Sequence, residues 1–443
     1  MYRTPLIAAA TALLVLPLTA LPAAATPAAA TPAAGPSAPN VARPLVATGA
    51  TRTAVSTAVS NDRIAAVLKS RTTSKILGSR FTMTVWDTAS SRYIYKRRHD
   101  ASLRGASTTK ILTAVGVLAA LGPERRLATK VRAGAKPGEI VLVAGGDPLL
   151  TSTDLRTLAA STATALTRGP GSTTPKVVVR ADDSLFAGGT RSKGWPSSYV
   201  PSQVRPVGAF ARDDNKSTDA TADAGRYFAA ALANKGIRAT YAGEAKAAAK
   251  APVLATFAGH SVAQSVAHML LVSDNDTAEM LFRQVAVGRG VRATWRGART
   301  ALADTLRELR VPLTGVQIVD GSGLSLEGRL TAYALTSALN RALSPDHARL
   351  AGLRGWLPVA GRTGTLRASY GRFDTSPSKC AAGLIQAKTG TVADAISLAG
   401  YANGADGRTK IFVSIVNSRP TAYSRLTTRR AVDRAVSGVT GCW

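Results

Sequence analysis

The sequence predicts an α/β fold in which both ends of the chain contribute strands to one sheet. Near the start, alternating β-rich residues at 82–86 and 93–95 flank a turn at 88–91, a pattern typical of a hairpin. Three further strand-like runs lie near the end of the chain, at 383–388, 395–401 and 410–416. Helical periodicity dominates the segments between them. We therefore expect one sheet, flanked by helices, that is built from residues far apart in sequence.

The first 60 residues are not expected to belong to this fold. The chain starts with a short basic segment, an apolar run interrupted by Pro17 follows, and three alanines at 23–25 resemble a cleavage site. This order is typical of a secretory signal peptide over residues 1–25, with a retained N-terminal anchor as the alternative. Residues 26–60 are rich in Ala, Pro and Thr and predict a disordered spacer. We therefore expect an exported protein that acts outside the cytoplasm, in the cell wall or a periplasm-like space.

The block from 126 to 255 differs from the segments on either side in its pattern of secondary structure signals. Strand-like and helical runs alternate here, at 132–138, 140–143, 153–167, 177–179 and 220–234. Between the last two lies a long passage rich in Pro, Gly and Ser. We interpret the block as a smaller α/β domain inserted into a main domain that comprises 61–125 and 256–443. No internal repeat is visible.

The charge of the chain is strongly positive. Its 56 Lys and Arg residues against 26 Asp and Glu residues give a formal net charge of +30. Such a charge suits a polyanionic partner, and nucleic acid is the first class to consider. However, the basic residues are scattered over the whole chain, and an exported protein does not meet nucleic acid. We therefore expect no nucleic-acid partner, and expect electrostatic contact with anionic cell-wall polymers or a membrane surface.

The cysteine and histidine residues do not predict a metal or cofactor site. Cys380 and Cys442 fit one disulfide in an oxidising compartment, with two unpaired thiols as the alternative. Neither these cysteines nor the four histidines have the spacing of metal ligands. No phosphate-binding or dinucleotide-binding glycine pattern is present. We therefore expect the protein to need neither a metal nor a cofactor.

Ser107 and Lys110 form the first candidate for catalysis. They begin a buried helix at 107–121, and residues three apart lie on the same helix face. A lysine whose pKa is lowered by burial can accept the proton of a serine hydroxyl and so activate it as a nucleophile. A serine that only caps the helix is the alternative. A second Ser-x-x-Lys pattern, at 376–379, lies in a Pro- and Ser-rich loop and carries no such expectation.

Two polar motifs farther along the chain strengthen the catalytic interpretation. Ser273-Asp274-Asn275 interrupts two apolar helices, so its side chains could point into a cleft. Lys388-Thr389-Gly390-Thr391 follows the strand-like residues 385–387, and Gly390 would let a substrate backbone approach closely. An ordinary polar loop and a strand-to-turn transition are the alternatives. Arg362-Thr363-Gly364-Thr365 is similar to the last motif, but it has Arg in place of Lys and no β-run before it.

Together, these three motifs resemble the S-x-x-K, S-x-N and K-T-G set of penicillin-binding proteins and serine β-lactamases. The gaps of 166 residues from Ser107 to Ser273 and 115 from Ser273 to Lys388 resemble the D-alanyl-D-alanine carboxypeptidase/endopeptidase group of low-molecular-weight penicillin-binding proteins. That group has a domain inserted after the first motif. Other similar segments lie at 146–148, 183–186, 320–325 and 357–361. The resemblance covers about 63–420 and implies a mainly antiparallel sheet flanked by helices, with an inserted smaller α/β domain.

The resemblance implies a serine DD-peptidase that acts on peptidoglycan stem peptides and is covalently inhibited by β-lactam antibiotics. Ser107 would form an acyl-enzyme with Lys110 as the favoured base, and the N–H groups of Ser107 and Thr391 would bind the oxyanion. The remaining implied residues are Ser273 and Lys388 for proton transfer, Asn275 for the acyl-side amide, and Thr389 and Thr391 for the terminal carboxylate. Asp182, before the 183–186 segment, would meet the free amine of the third stem-peptide residue.

Two other functions remain open from the sequence. The same motifs serve a serine β-lactamase, although no residue before Ser273 resembles a dedicated carboxylate for deacylation. A non-catalytic, basic cell-wall-binding protein could keep the fold, although the intact Ser107, Lys110 and Lys388 argue against it. The sequence does not decide between carboxypeptidase and endopeptidase activity.

Overall fold

A computed structural model of the chain describes residues 60–168 and 176–443. The predicted signal peptide and nearly all of the predicted spacer lie outside the described residues. The strands are β1 Arg80–Asp87, β2 Arg92–Arg97, β3 Thr129–Ala133, β4 Glu139–Val143, β5 Lys176–Asp182, β6 Arg238–Glu244, β7 Val253–Phe257, β8 Ile385–Thr391, β9 Ile396–Asn403 and β10 Thr409–Asn417. The helices are α1 Asn61–Arg71, α2 Thr109–Leu121, α3 Ser152–Thr167, α4 Ala220–Ala233, α5 Val262–Val272, α6 Asn275–Gly288, α7 Trp295–Glu308, α8 Ala332–Arg341 and α9 Arg425–Ser437.

The main sheet joins the two ends of the chain, as the sequence predicts. Its strand order is β2-β1-β10-β9-β8, and every neighbouring pair is antiparallel. Val85 pairs with Phe412 across β1 and β10, and Ala387 pairs with Gly400 across β8 and β9. Strand β8, which contains the K-T-G motif, therefore lies at the sheet edge. The segment 358–360 hydrogen-bonds to its first residues, 385–387, on the outer side.

Helices cover both faces of the main sheet, so β9 and β10 are almost entirely buried. On one face, side chains such as Ile411 and Tyr401 pack in a core shared with α2 and α8. On the other face, Phe412 and Val416 pack against α1 and α9. Burial on both faces explains why these strands read as near-continuous apolar runs rather than as a strict alternation.

A second sheet is formed entirely by residues 129–257, with the order β6-β5-β4-β3-β7. The pairs β4–β5 and β5–β6 are parallel, and β3 pairs antiparallel with β4 and β7. All five strands fall in or within two residues of the block interpreted as an inserted domain; the division into two domains remains a prediction. β6 and β7, at the two edges, were not predicted.

The first strand of this block begins and ends earlier than expected. The sequence predicts 132–138, whereas β3 ends at Ala133 and a turn follows, closed by a hydrogen bond from Gly134 N to Glu139 O. Pro137 has no N–H group to donate to a ladder, and Gly138 has a φ of +74°. These are properties of turn residues, so the strand cannot continue through them.

Helix α2 lies in the centre of the protein and carries the first motif. Its first ten residues, from Thr109 to Leu118, are buried. It packs on α5, α6, α7 and α8, and at Gly116 an added Cβ would lie 2.1 Å from Leu302 Cδ1 of α7. The helix is therefore fixed on all sides, which holds the residues at its N-terminus in place. Helices α1, α7 and α8 were not predicted.

Cys380 and Cys442 form a disulfide, as expected from the sequence, and tie the C-terminus to the 3₁₀ turn at Ser378–Ala381.

Among the described residues, none of the helices has both the length and the apolar composition that crossing a membrane requires.

Candidate active site

Ser107 lies in a 3₁₀ turn, Ala106–Thr108, that leads directly into α2. Ala106, the preceding residue, has a φ of +46°, a left-handed conformation that is costly for a residue with a Cβ. The Ser107 side chain is only partly buried and lines a cavity. The tight backbone turn therefore presents the hydroxyl to the cavity at the N-terminus of a buried helix.

Lys110 is completely buried, and its Nζ donates hydrogen bonds to three oxygens. These are Ser107 Oγ at 3.0 Å, Asn275 Oδ1 at 2.7 Å and the Ser322 carbonyl at 3.0 Å. Burial lowers the pKa of Lys110 to about 8, against the opposing effect of nearby carboxylates, of which Glu279 is the strongest. Part of the Lys110 population is therefore neutral near physiological pH and can accept a proton.

Ser273 and Lys388 meet across the cleft. Ser273 ends α5 in the left-handed conformation, with a φ of 66°, and its Oγ accepts a 2.8 Å hydrogen bond from Lys388 Nζ. Lys388 also donates to the Thr389 carbonyl at 2.9 Å and is fully buried. Burial, together with the charges of Lys110 and Arg372, lowers the pKa of Lys388 well below its usual value. The pair is suited to passing a proton.

The K-T-G motif lies within β8 instead of following the strand, because its residues pair with β9 as far as Thr391 and Ile396. The Thr389 and Thr391 side chains line the cavity. At Gly390, an added Cβ would lie 2.1 Å from Ser397 Oγ, 2.8 Å from Gly105 O and 3.1 Å from Ser107 N. The close neighbours that require glycine here are therefore the Ser397 hydroxyl and the Gly105 carbonyl of the chain itself, and not the substrate backbone that the sequence predicted.

The cavity that collects these groups has a volume of about 280 Å³. It is lined by Ser107, Ser273, Thr365, Tyr370, Arg372, Thr389, Thr391 and Arg429. Thr389 Oγ1 donates a 2.8 Å hydrogen bond to Thr365 Oγ1. The hydroxyls are thus grouped around the Ser107 Oγ in a small, polar, positively charged recess.

Arg372 and Arg429 belong to this cavity and were missed by the sequence analysis. Arg372 is almost fully buried, and its Nε and Nη2 bind the two carboxylate oxygens of Asp433 at 2.8 and 2.6 Å. Its Nη1 makes no hydrogen bond to any described residue. Thr365, which also lines the cavity, lies in the Arg362–Thr365 stretch that the sequence analysis set aside as the weaker copy of the K-T-G motif. No local pattern in the sequence marks Arg372 or Arg429, because the residues that surround them in the site come from distant segments.

Glu279 is a further residue that the motifs did not reveal. It is fully buried on α6, and its two oxygens accept hydrogen bonds from Gly321 N and Ser322 N, each at 2.8 Å. The Ser322 carbonyl is one of the three acceptors around Lys110. Burial and the nearby Asp320 raise the pKa of Glu279. Glu279 therefore positions the loop that holds Lys110, and its own charge acts on the Lys110 pKa.

Asn275 is the first residue of α6, where Asp274 caps the helix by accepting a hydrogen bond from Thr277 N. The Asn275 side chain bridges Lys110 and the part of the chain that forms the second sheet. Its Oδ1 accepts a hydrogen bond from Lys110 Nζ, and its Nδ2 donates one to Gln203 O at 2.8 Å. This residue was predicted at a polar break between helices, and the structure brings it into contact with Lys110.

Asp182 does not line the cavity. It ends β5 and is buried, and its two oxygens accept hydrogen bonds from Ser184 N at 2.9 Å and Ala247 N at 2.8 Å. The adjacent Asp183 accepts from Ala209 N and Phe210 N, and burial raises its pKa to about 6. Both carboxylates thus hold backbone segments in place, and a role of Asp182 toward a substrate amine stays a prediction.

Chemically, the arrangement fits acyl transfer through a serine ester. It supplies a hydroxyl, a buried lysine in contact with it, a second lysine–serine pair and backbone N–H groups beside Ser107.

The model of the family described as D-Ala-D-Ala carboxypeptidase 3 (S13) matches residues 64–209 and 200–437. These two segments cover nearly all the described chain.

Relatives of known name agree with that family. A carboxypeptidase of Mycobacterium tuberculosis is 32% identical over 351 residues, which are 75% of each chain. The carboxypeptidase DacB of Mycolicibacterium smegmatis is 29% identical over 370 residues, 80% of each chain. Among solved structures, penicillin-binding protein 4 (dacB) of Haemophilus influenzae superposes with a TM-score of 0.71 at 20% identity, covering 84% of this chain and 98% of that one. This similarity confirms the predicted fold class.

Proposed function

This chain belongs to the D-Ala-D-Ala carboxypeptidase 3 (S13) family and is a serine-type DD-peptidase; from that premise, we propose that Ser107 is its nucleophile and peptidoglycan stem peptides are its substrate. The single observation that carries the assignment is the 3.0 Å contact of Ser107 Oγ with the fully buried Lys110 Nζ. If Ser107 only capped the helix, the lysine three residues later would be expected to be charged and exposed to solvent. Here burial keeps part of the lysine population neutral and in contact with the hydroxyl.

In the acylation step, Ser107 Oγ attacks the carbonyl carbon between two D-alanines while its proton passes to neutral Lys110. A C–O bond forms, the C–N bond breaks, and the terminal D-alanine leaves as an amine after it receives a proton. The N–H groups of Ser107 and Thr391 bind the developing oxyanion. The close approach of β8 to Ser107 at Gly390 supports this placement of the two N–H groups.

The proton for the leaving amine is supplied through Ser273 and Lys388. Their 2.8 Å hydrogen bond and the lowered pKa of Lys388 support this role. Water then attacks the ester carbonyl, a new C–O bond replaces the bond to Ser107 Oγ, and the serine recovers its proton. Asn275, held between Lys110 and Gln203 O, has the position to orient the amide on the acyl side.

The terminal carboxylate of the substrate is bound by the Thr389 and Thr391 hydroxyls. Arg372 adds a charged donor, because Asp433 uses only two of its nitrogens and leaves Nη1 without a described partner. Arg372 and Arg429 make the site electropositive, which favours an anionic substrate end. Penicillins carry a carboxylate beside a reactive amide and are expected to acylate the same serine.

We further propose where the protein is retained and that it has a second activity. An exported protein of net charge +30 would be retained electrostatically near anionic wall polymers or the membrane face. Cleavage of cross-links in addition to terminal D-alanine is proposed because an endopeptidase of Bdellovibrio bacteriovorus has the same fold, with a TM-score of 0.53 at 16% identity. A β-lactamase is the second candidate, since the same serine and lysine could open a β-lactam.

Incubation with two substrates distinguishes these activities. The purified protein is given a pentapeptide that ends in D-Ala-D-Ala and, separately, a cross-linked muropeptide, and the products are identified by mass. Release of D-alanine from the pentapeptide supports the proposed function, and cleavage of the cross-link adds the endopeptidase activity. Hydrolysis of penicillin with rapid turnover, and no product from either peptide, would favour the β-lactamase instead.

A further inference from the structure

A second concave site lies away from Ser107, between α1, α9 and the loop at 370–378. We call it the basic pocket. It has a volume of about 530 Å³ and contains three arginines, Arg71, Arg430 and Arg434. Seven of its other nine lining residues are serine or threonine, and none is Asp or Glu. The lining therefore offers many hydrogen-bond donors and positive charge in one recess.

The charges of this pocket are only partly neutralised. Arg434 is exposed and makes no ion pair with any residue that the structure describes. Arg71 Nη1 donates to the Arg434 carbonyl at 2.6 Å and to Ser437 Oγ at 3.1 Å, so neutral groups orient it and no carboxylate offsets its charge. Arg430 pairs with Asp374 at 2.6 Å, while its buried Nε has no hydrogen-bond partner. The pKa of Arg71 is lowered by burial and by the charge of Arg434.

The chemistry of the lining favours a phosphate oxyanion. Guanidinium groups bind phosphate oxygens through paired charge-assisted hydrogen bonds, and serine and threonine hydroxyls can complete the coordination. Ile76 and Ala431 are the two apolar lining residues, and both are partly buried. A membrane-binding surface normally adds exposed apolar side chains to its basic residues. The recess thus suits a phosphate group on a soluble chain better than a lipid surface.

The basic pocket and the catalytic cavity share two structural elements. On α9, Arg429 lines the cavity and Arg430 lines the basic pocket. On the adjacent loop, Tyr370 and Arg372 line the cavity, while residues 375, 376 and 378 line the pocket. We propose that the basic pocket binds a phosphodiester group of an anionic wall polymer and so holds the catalytic cavity beside wall peptides. The part of the proposal that places the catalytic cavity beside wall peptides rests on the proposed function.

The test measures binding of a fluorescently labelled oligo(glycerol phosphate) to the purified protein by anisotropy at several salt concentrations. Arg434→Gln is expected to weaken binding about tenfold and to reduce the salt dependence by about one released ion, since Arg434 contributes a charged contact to the phosphate. The matched control is Arg296→Gln, which removes an exposed arginine from α7 outside both pockets and is expected to change affinity by less than about twofold. Ser107→Ala should bind as the wild type does, because the pocket does not contain the nucleophile.

Three results would overturn the proposal. Equal weakening by Arg434→Gln and Arg296→Gln would show that net charge alone binds the polymer. Equal affinity for an oligoglutamate of the same charge would exclude selectivity for phosphate. Binding to vesicles containing phosphatidylglycerol, without binding to the oligo(glycerol phosphate), would assign the pocket to a membrane. The proposed function is tested separately by the wild-type protein's activity on soluble peptide, so its failure is distinguishable from a failure of the pocket.

Discussion

Lys110 Nζ lies 3.0 Å from Ser107 Oγ, and the Lys110 side chain has no exposure to solvent. The lysine is also held by the side-chain oxygen of Asn275 and the carbonyl of Ser322. These contacts come from α6 and from the segment between α7 and α8, so Lys110 is fixed by two parts of the chain besides its own helix. This geometry suits the proposed role of Lys110, because the lysine can accept a proton without moving away from Ser107.

The burial of Lys110 predicts a specific pH dependence. A lysine whose pKa is lowered to about 8 is protonated below that pH and increasingly neutral above it. Only the neutral form can accept the Ser107 proton, so the rate of acylation by a fluorescent penicillin should rise with pH through about 8. Stopped-flow measurement from about pH 6 to pH 10 checks this. A rate that stays constant over that range would contradict Lys110 as the base.

Glu279→Gln should slow acylation about tenfold and shift the midpoint of the pH profile downward. The substitution breaks one of the two hydrogen bonds that hold the Ser322 loop, and it removes the negative charge that raises the Lys110 pKa. The midpoint distinguishes this positioning role from a general loss of structure. Glu308→Gln, at an exposed position paired with Arg289, is the control. A slower reaction with an unchanged midpoint would contradict the electrostatic part of the prediction.

Arg429→Gln should raise the KM for a peptide ending in D-Ala-D-Ala by about tenfold, with a smaller change in kcat. The reason is that Arg429 lines the cavity in which we propose that the substrate carboxylate binds. A peptide with a C-terminal amide lacks that charge and should respond little to the substitution. Arg425→Gln, on the exposed first turn of the same helix, provides a matched loss of charge. If the acid and amide peptides were affected equally, Arg429 would not be a carboxylate contact.

Replacing both Cys380 and Cys442 with serine should lower the free energy of unfolding by about 2–4 kcal/mol. The disulfide closes a loop of 62 residues, and its removal increases the conformational entropy of the unfolded chain. Urea denaturation followed by tryptophan fluorescence measures the change. An unchanged midpoint in the double variant would show that the C-terminal segment is held without the covalent link.

Much of the main sheet could be predicted from the sequence, since β9 and β10 are long apolar runs and the hairpin of β1 and β2 has a clear turn. The motif residues Ser107, Ser273 and Lys388 were found because the S-x-x-K, S-x-N and K-T-G motifs restrict their types and order. In contrast, β6 and β7 are edge strands whose partners come from elsewhere in the chain. β6 is rich in small and polar residues, and β7 is only five residues long. Local periodicity carries little information about such pairing.

The residues around the motifs were harder to predict for a similar reason. Arg372 becomes part of the site because Asp433, 61 residues away, binds two of its nitrogens. Glu279 acts through the loop at 321–322 and touches the nucleophile only indirectly. In sequence, both are ordinary charged residues, and only tertiary packing gives them a role.

The most direct test of the account is the location of the penicillin adduct. Cleavage with trypsin after Arg104 and Lys110 releases residues 105–110, in which Ser107 is the sole serine. We expect the penicilloyl group on this peptide in the wild type, and we expect no labelling of Ser107→Ala. Labelling of Ser107→Ala at the wild-type rate, or an adduct on any other peptide, would contradict Ser107 as the nucleophile.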